Sequence, residues 1–323
     1  MKVFIVGGTG FLGYYSTLEF LKRGHQVATM SIPDIPLGDW FPNEVSVSYG
    51  DVFKMSESEL IEVFKGFDAM VYAVGPDDRV VPPAPAYQFF HDRLVVACTK
   101  VIACARKAGV KKCVVLNSYF EYFDRIWPKK KLSERHPYIK ARKEQAEAVI
   151  EAGGNEMSVC VLNLPYIFGT MPERVPIWKD VFLERLKNMN PVFFTRGGTN
   201  MLSVEHVAEA VVGAVEKGQH GKRYPVGDEN MDWKEMLGLM FEAMGMKKKI
   251  LTLPTWIMTL VGRSMYKKEL KHGKESGLNL KYLFQDIQSQ YLYFDPTPTI
   301  QELGMTRGGV RESIIKTVKA CYH

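Results

Sequence analysis

Apolar residues in the first half of this chain come in short runs, separated by longer stretches with helical spacing. KVFIVG (2–7) is rich in β-branched residues and ends in glycine, which predicts a strand. FLGYYSTLEFLKR (11–23) has helical spacing and stops at Gly24, which predicts a helix. HQVATM (25–30) and VSVSYGD (45–51) read as second and third strands, and SESELIEVFKG (56–66) as a helix capped by Ser56. DAMVYAVG (68–75) reads as a fourth strand, 87–108 as a long helix, and KKCVVLNS (111–118) as a fifth strand. A helix over 138–152 and a strand at MSVCVLNL (157–164) follow.

Strand and helix in alternation predict parallel pairing with helices on both faces, an α/β Rossmann-type doubly wound sheet. The strands are apolar almost throughout, as sheets buried on both sides require. Two arms break the alternation. One, 170–199, has three prolines and several basic residues; the other, 228–323, reads as mostly helical and rich in Met and Lys. We assign 1–169 plus 200–227 to a dinucleotide-binding domain, and 170–199 plus 228–323 to a smaller, mostly helical substrate lobe over the sheet's C-terminal edge.

Composition narrows the function classes. The chain has 323 residues, 46% hydrophobic and 24% charged, ordinary for a soluble globular protein. No run approaches the roughly 20 apolar residues of a membrane span. MKVFIVGG is too briefly apolar for a signal peptide. A net charge of +6 from scattered Lys and Arg suits an anionic cofactor and argues against nucleic acid. The five cysteines form no CxxC and lie mostly in apolar runs, so they read as core residues in a reducing, cytoplasmic setting. The seven histidines show no HExxH and no paired spacing with cysteine, which predicts no metal site.

GGTGFLG (7–13) follows a predicted strand and opens a predicted helix, the context that gives a glycine motif meaning. Gly7 permits the tight turn, Gly10 lets the backbone approach a pyrophosphate, and Gly13 permits close helix–strand packing. The helix start supplies free N–H groups and partial positive charge for phosphate.

From here the chain resembles the short-chain dehydrogenase/reductases, in particular the extended or atypical NAD(P)-dependent epimerase/dehydratase group. The glycine spacing carries the likeness, with Thr9, Phe11 and Leu12 inside it. GDV (50–52) resembles the family's adenine-contacting turn, which implies Asp51 and Val52 at the adenine. YAVG (72–75) resembles the loop along the cofactor, implicating Ala73, Val74 and Gly75. CARKAGVKKCVVLNS (104–118) resembles the fourth helix and fifth strand and includes Asn117. LNLPYIFG (162–169) resembles the segment passing the nicotinamide, implicating Pro165, Tyr166 and Ile167. LSVEHVAEAVVGAVEKG (202–218) and RYPVGDEN (223–230) resemble the returning helix and last strand.

An acid ending the second strand would bind a ribose 2′-hydroxyl and favour NAD. Ser31 stands there, with Asp34 beyond it and able to reach back, and no Arg follows to grip a 2′-phosphate. The absent acid favours NADP, and NAD stays open.

The resemblance implies a catalytic Ser118, ending VVLNS, and a catalytic Tyr138, in HPYIKAR. In that chemistry the tyrosine gives or takes a proton at the substrate oxygen, and the serine hydrogen-bonds the same oxygen. A lysine four residues on holds the nicotinamide ribose and lowers the tyrosine pKa from near 10. Arg142 stands at that position and Lys143 follows it. Arg keeps the charge but not the geometry of an ammonium. Lys143 has the chemistry but is rotated about 100° around the helix. Three readings stay open: Arg142 substitutes for lysine, another acid or Lys143 serves, or the protein binds cofactor as a regulatory or assembly protein without turnover. A Ser118 that merely caps a strand end, and a Tyr138 that merely opens a basic surface helix, are the structural alternatives.

Family members acting on sugar nucleotides carry arginines where this chain has Asn163-Leu164 and Thr199. Losing such bidentate phosphate contacts argues for a small carbonyl or alcohol substrate. Arg174, Arg185 and Arg196 read as surface charge. Tyr119, Phe120, Tyr122, Phe123 and Trp127 read as core packing; facing the cleft they would favour a flat or apolar substrate. TLPTWIMTLVGRSMYKK (252–268) has an apolar core and a basic end. We read it as packing within its own lobe, with contact to a membrane surface as the competing reading. A homodimer is compatible with all of this.

Overall fold

The strands β1 Lys2–Val6, β2 Gln26–Ser31, β3 Ser46–Tyr49, β4 Ala69–Tyr72, β5 Lys112–Ser118 and β6 Ser158–Leu164 fall within the predicted runs or one residue beyond them. In the computed structural model, which describes residues 1–32 and 37–322, they form one parallel sheet. Asp34 lies outside the described residues. A short strand, β10 Arg223–Pro225, joins β6 to give seven strands in the order β10-β6-β5-β4-β1-β2-β3.

Alternate side chains of each central strand enter opposite cores. Val3, Ile5, Val71, Val114 and Leu162 meet the helices Phe11–Lys22 and Val204–Lys217 on one face. Phe4, Val6, Met70, Tyr72 and Val115 meet Glu57–Phe64, Ala97–Lys107 and Pro137–Gly153 on the other. This is why the strands are apolar throughout rather than alternating. Ser56 closes a capping box: its Oγ accepts from the Glu59 N–H at 3.3 Å, and Glu59 Oε2 accepts from the Ser56 N–H at 2.8 Å.

The chain runs outward from β1 through β2 to β3, then crosses back to β4 on the other side of β1. Ligands of doubly wound sheets bind in the crevice at such a reversal, beyond the strands' C-terminal ends. Two elements differ from the sequence reading. The long helix after β4 is Ala86–Phe90 and Ala97–Lys107 joined by a π-helical stretch, His91–Val96. A helix, Tyr119–Ile126, follows β5 at once where none was assigned.

β7 Tyr166–Phe168 leaves the main sheet and pairs with β9 Gly198–Ser203, which also pairs with β11 Glu229–Asp232 and β13 Tyr291–Leu292. β8 Val192–Thr195 pairs with β12 Ile250–Leu253. A separate apolar cluster of Trp178, Phe182, Trp233, Met240 and Ile314 packs this part of the molecule.

Candidate functional site

The turn after β1 shows three separate uses of glycine. Gly7 has φ +88°, a conformation that L side chains rarely adopt, and a Cβ there would collide with the Val74 side chain. A Cβ at Gly13 would collide with the Gly7 carbonyl oxygen and the Gly8 Cα, so the helix could not approach the turn. A Cβ at Gly10 would meet only the Gly7 carbonyl oxygen, at 3.3 Å. Gly10 is thus crowded on one side only, and it lines the groove beside it. Thr29 anchors the turn: its Oγ1 accepts from the Gly8 N–H at 2.9 Å and donates to the Ile5 carbonyl at 2.7 Å.

The groove is lined by Gly7, Thr9, Gly10, Ser31, Asp51, Val52, Ala73 and Val74. Phe11, Leu12 and Gly13 form the first turn of the helix above it. No side chain caps that helix and no acid lies in its first turn. Its free N–H groups and positive end stay available to an anion. The Thr9 hydroxyl donates to Ser31 Oγ at 3.1 Å. The Asp51 carboxylate accepts from the Phe53 N–H at 3.0 Å. Met30, Ile32 and Phe53 also line the groove, and the sequence reading missed them. Phe53 is 43% exposed beside the Asp51 turn; an unspent aromatic directly after GDV was the available signal. A glycine cradle, an uncapped helix start and apolar walls fit a dinucleotide's pyrophosphate and adenosine. Gly75, with φ +131°, packs toward Leu94 and does not line the groove.

A second cluster forms where β5 ends against the Pro137–Gly153 helix. Pro137 starts that helix, a position where its missing N–H costs nothing. One turn on, Arg142 Nε donates to the Tyr138 hydroxyl at 2.9 Å. Arg142 Nη1 donates to the Leu116 carbonyl (3.3 Å) and to Gln145 Oε1 (2.8 Å), and Nη2 to the Pro76 carbonyl (3.4 Å). Of five guanidinium N–H groups, one has no partner among the described residues. Asn117 completes the joint: its Nδ2 donates to the Arg142 carbonyl at 2.9 Å, and its Oδ1 accepts from the Ser118 N–H at 2.6 Å. Ser118 Oγ accepts from the Phe120 N–H at 3.4 Å, so Ser118 caps the Tyr119–Ile126 helix while its own O–H remains free to donate.

Tyr138 is 2% exposed. Burial raises its pKa above the ordinary value, the Arg142 guanidinium offsets part of that rise, and Asp78 adds to it. The lowered tyrosine pKa expected from the sequence is thus reversed here, because desolvation of a buried phenol outweighs its cation. Lys143 points elsewhere, with its Nζ 3.2 Å from Asp124.

Sequence reasoning also missed Asp78. It follows β4 in the loop whose Pro76 carbonyl holds Arg142. Its charge acts on Tyr119, Tyr138 and Tyr166. Burial raises its own pKa, with Arg79 opposing. Its neighbour Asp77 pairs with Arg79, whereas no side chain donates a hydrogen bond to Asp78 among the described residues. Two adjacent acids in a loop carry no sign of which one will act on Tyr138.

Pro165 is buried, and Tyr166 and Ile167 are half-buried. The Tyr166 ring lies between Trp178 (5.1 Å) and Trp233 (5.5 Å). Tyr119, Phe120 and Phe123 are core residues, and the Tyr119 hydroxyl is 2.8 Å from Thr199 Oγ1. Arg174, Arg185 and Arg196 are exposed, although Arg174 Nη2 reaches the Thr9 carbonyl at 3.5 Å. All five cysteines are buried and unpaired.

A doubly wound parallel sheet with a glycine cradle at its reversal point defines a dinucleotide-binding Rossmann-type fold. Residues 3–227 match the model of the NAD dependent epimerase/dehydratase family, and the chain belongs to that family. A Synechocystis sp. protein assigned provisionally as dihydroflavonol 4-reductase is 22% identical, over 98% of this chain and 93% of its own. The sterol-4-alpha-carboxylate 3-dehydrogenase, decarboxylating, of Dictyostelium discoideum is 23% identical, over 86% of this chain and 89% of its own. Among solved structures, the Bordetella bronchiseptica enzyme WbmH in complex with NAD+ superposes with a TM-score of 0.70 at 17% identity, over 99% of this chain and 97% of that one.

Proposed function

We propose that this protein is an NAD(P)-dependent oxidoreductase or epimerase acting on a small carbonyl or alcohol, with Tyr138 as acid and base. The observation that carries the reading is the Arg142–Tyr138 hydrogen bond at 2.9 Å, formed beside Ser118 at the end of β5. When bound, the nicotinamide cofactor supplies the two-electron exchange with the substrate carbon. Gly7, Gly10 and the helix start hold its pyrophosphate, and Asp51 and Val52 take the adenine end. Tyr138 gives the proton to the substrate oxygen or removes it, and Ser118 donates a hydrogen bond to the same oxygen. Arg142 takes the lysine's place by orienting the phenol and opposing its desolvation. Its one uncommitted N–H is what remains for the nicotinamide ribose. Asp78 accepts a hydrogen bond from the substrate. Residues 1–169 plus 200–227 serve the cofactor, and 170–199 plus 228–323 the substrate.

An apolar substrate suits this chain better than a sugar nucleotide. Thr199 and Asn163 stand where phosphate-binding arginines align, and they are engaged with Tyr119 and Glu121. Two relatives are named for dihydroflavonol and sterol-carboxylate substrates, which supports the same choice. The unpaired thiols suit a cytoplasmic setting. The absent acid at Ser31 favours NADP, whereas structural neighbours were solved with NAD.

A second reading has its own support. Tyr138 is buried and its pKa is raised rather than lowered, as a phenol in a binding protein without turnover could be. One assay separates the two. A panel of aldehydes, ketones, sterol-like alcohols and sugar nucleotides is followed by nicotinamide absorbance, with cofactor binding measured by calorimetry. Turnover that Tyr138→Phe abolishes while cofactor affinity persists supports catalysis. Cofactor binding with no turnover across the panel supports the second reading, and Tyr138→Phe at the parent rate refutes Tyr138 as the acid.

A further inference from the structure

The segment expected to pack within its own lobe does so along one narrow line. In the Thr255–Lys271 helix only Gly262 is fully buried. A Cβ at Gly262 would collide with the Leu280 carbonyl and stand 2.8 Å from the Phe284 ring, so this is the face against the body of the protein. At about 100° per residue, Trp256, Leu260, Lys267 and Lys271 fall on the opposite face. Trp256 is 66% exposed, Leu260 54% and Val261 44%. The outward face is therefore apolar in its first two turns and basic afterwards. Arg263 and Lys268 flank it, and Lys274 follows it. The helix's one acid, Glu269, is committed: its carboxylate accepts from the Ser276 N–H at 3.0 Å and the Ser276 hydroxyl at 2.6 Å. Among the described residues, no helix is long and apolar enough to cross a membrane.

We infer that this helix rests on an anionic lipid surface, with Trp256, Leu260 and Val261 in the headgroup–acyl boundary and Arg263, Lys267, Lys268 and Lys271 against the lipid phosphates. An exposed tryptophan beside aliphatic side chains suits the interface, where one side of the ring is apolar and the other wet. The unbalanced basic run supplies the charge complementarity that brings such a helix to anionic lipid. A second copy of the chain is a poor occupant. Parallel pairing would set lysines against lysines, and antiparallel pairing would bury them against Trp256 and Leu260. The inference is independent of the catalytic reading, since no residue of the glycine cradle or the Tyr138 cluster takes part.

The test uses the full chain in sedimentation with vesicles of phosphatidylglycerol mixed into phosphatidylcholine, and with pure phosphatidylcholine vesicles. Binding is expected to the mixed vesicles only, and it should weaken as NaCl rises from about 0.1 to about 0.5 M, because the screening length shortens. The double variant Trp256→Ser/Leu260→Ser should lower the partition coefficient about tenfold. Lys267→Glu with Lys271→Glu should abolish binding. Both pairs of positions are exposed, so melting temperature and calorimetric cofactor affinity should not move. Three results would overturn the inference: no binding to either vesicle, equal binding to both, or mixed-vesicle binding that survives both double variants. So would sedimentation velocity showing a dimer that Trp256→Ser/Leu260→Ser dissociates, which would make the face a self-interface.

Discussion

The Tyr138 phenol loses its hydration on burial and recovers part of that loss from Arg142. Arg142 also satisfies Leu116, Gln145 and Pro76, so its replacements should separate chemistry from stability. A lysine there could still reach Tyr138, but a single ammonium cannot also span the other acceptors. Arg142→Lys should keep turnover and lower the melting temperature. Arg142→Met should cost about 1–3 kcal/mol for each buried acceptor left unsatisfied. It should also move the alkaline limb of the pH–rate profile upward, since the phenol, already raised, loses the charge that opposed the rise. Each unit of that movement corresponds to about 1.4 kcal/mol. Asp78→Asn should move the same limb downward, because the Asp78 charge contributes to raising Tyr138. Limbs that move together in the two variants, in a pH–rate series on a substrate found by the panel, would refute this electrostatic account. Tyr138 was legible in the sequence because its proline and its four-residue spacing to Arg142 are local. Asp78 was not, since only the return of the chain to β4 sets that loop beside Tyr138.

At the scale of elements, the glycine turn makes a prediction with two opposite outcomes. Gly10 faces the groove and Gly13 faces backbone. Gly10→Val should leave circular dichroism and melting native while calorimetric cofactor binding is lost. Gly13→Ala should lower the melting temperature instead, by the about 1–3 kcal/mol typical of overpacking. The strand after the Pro137–Gly153 helix and the β1 turn were legible because burial on both faces leaves continuous apolar runs. The Tyr119–Ile126 helix was not, because its aromatics directly continue the apolar run of β5 and its 8 residues give little periodicity. A long-range tie was equally invisible. The Gly277 carbonyl accepts the Tyr138 N–H at 3.0 Å, and Arg135 Nη1 meets the Asp286 carboxylate at 2.9 Å. Burial pushes the Asp286 carboxyl up, but His136 and Arg135 outweigh it and hold the group below its ordinary value. A depressed carboxylate contributes stability that is fully present above the unfolded pKa and is lost as pH falls through the folded one. Asp286→Asn should therefore destabilise by about 1–3 kcal/mol across neutral pH. That difference should shrink below the ordinary value of 3.8 in urea titrations at stepped pH. A difference independent of pH down to that range would show that the carboxylate charge is not what holds the tie between Arg135 and Asp286.

For the whole molecule, parallel pairing with helices on both faces was implied by alternation alone, whereas the strand order was not, and the second region was legible only as a departure from that alternation. β7, β9, β11 and β13 pair across distant parts of the sequence, and β7 and β13 have only 3 and 2 residues. Cofactor preference is likewise a property of the assembled molecule, since β1, β2 and the segments after β3 and β4 all contribute to the groove. A ligand that binds only the folded state stabilises it by RT ln(1 + [L]/Kd), about 2.7 kcal/mol at a hundredfold excess over Kd. At equal concentrations, the cofactor with the greater affinity should therefore give the larger rise in melting temperature. Ser31 is buried at the end of β2, lines the groove and accepts the Thr9 hydroxyl. With no acid at that position, NADP should give the larger rise. Ser31→Asp sets a carboxylate where a ribose 2′-phosphate would lie, and like charges there cost affinity. The NADP shift should then fall well below the NAD shift, with the NAD shift kept or increased. If the variant lowers both shifts equally, Ser31 does not face the 2′ position, and the preference must be sought elsewhere in the groove.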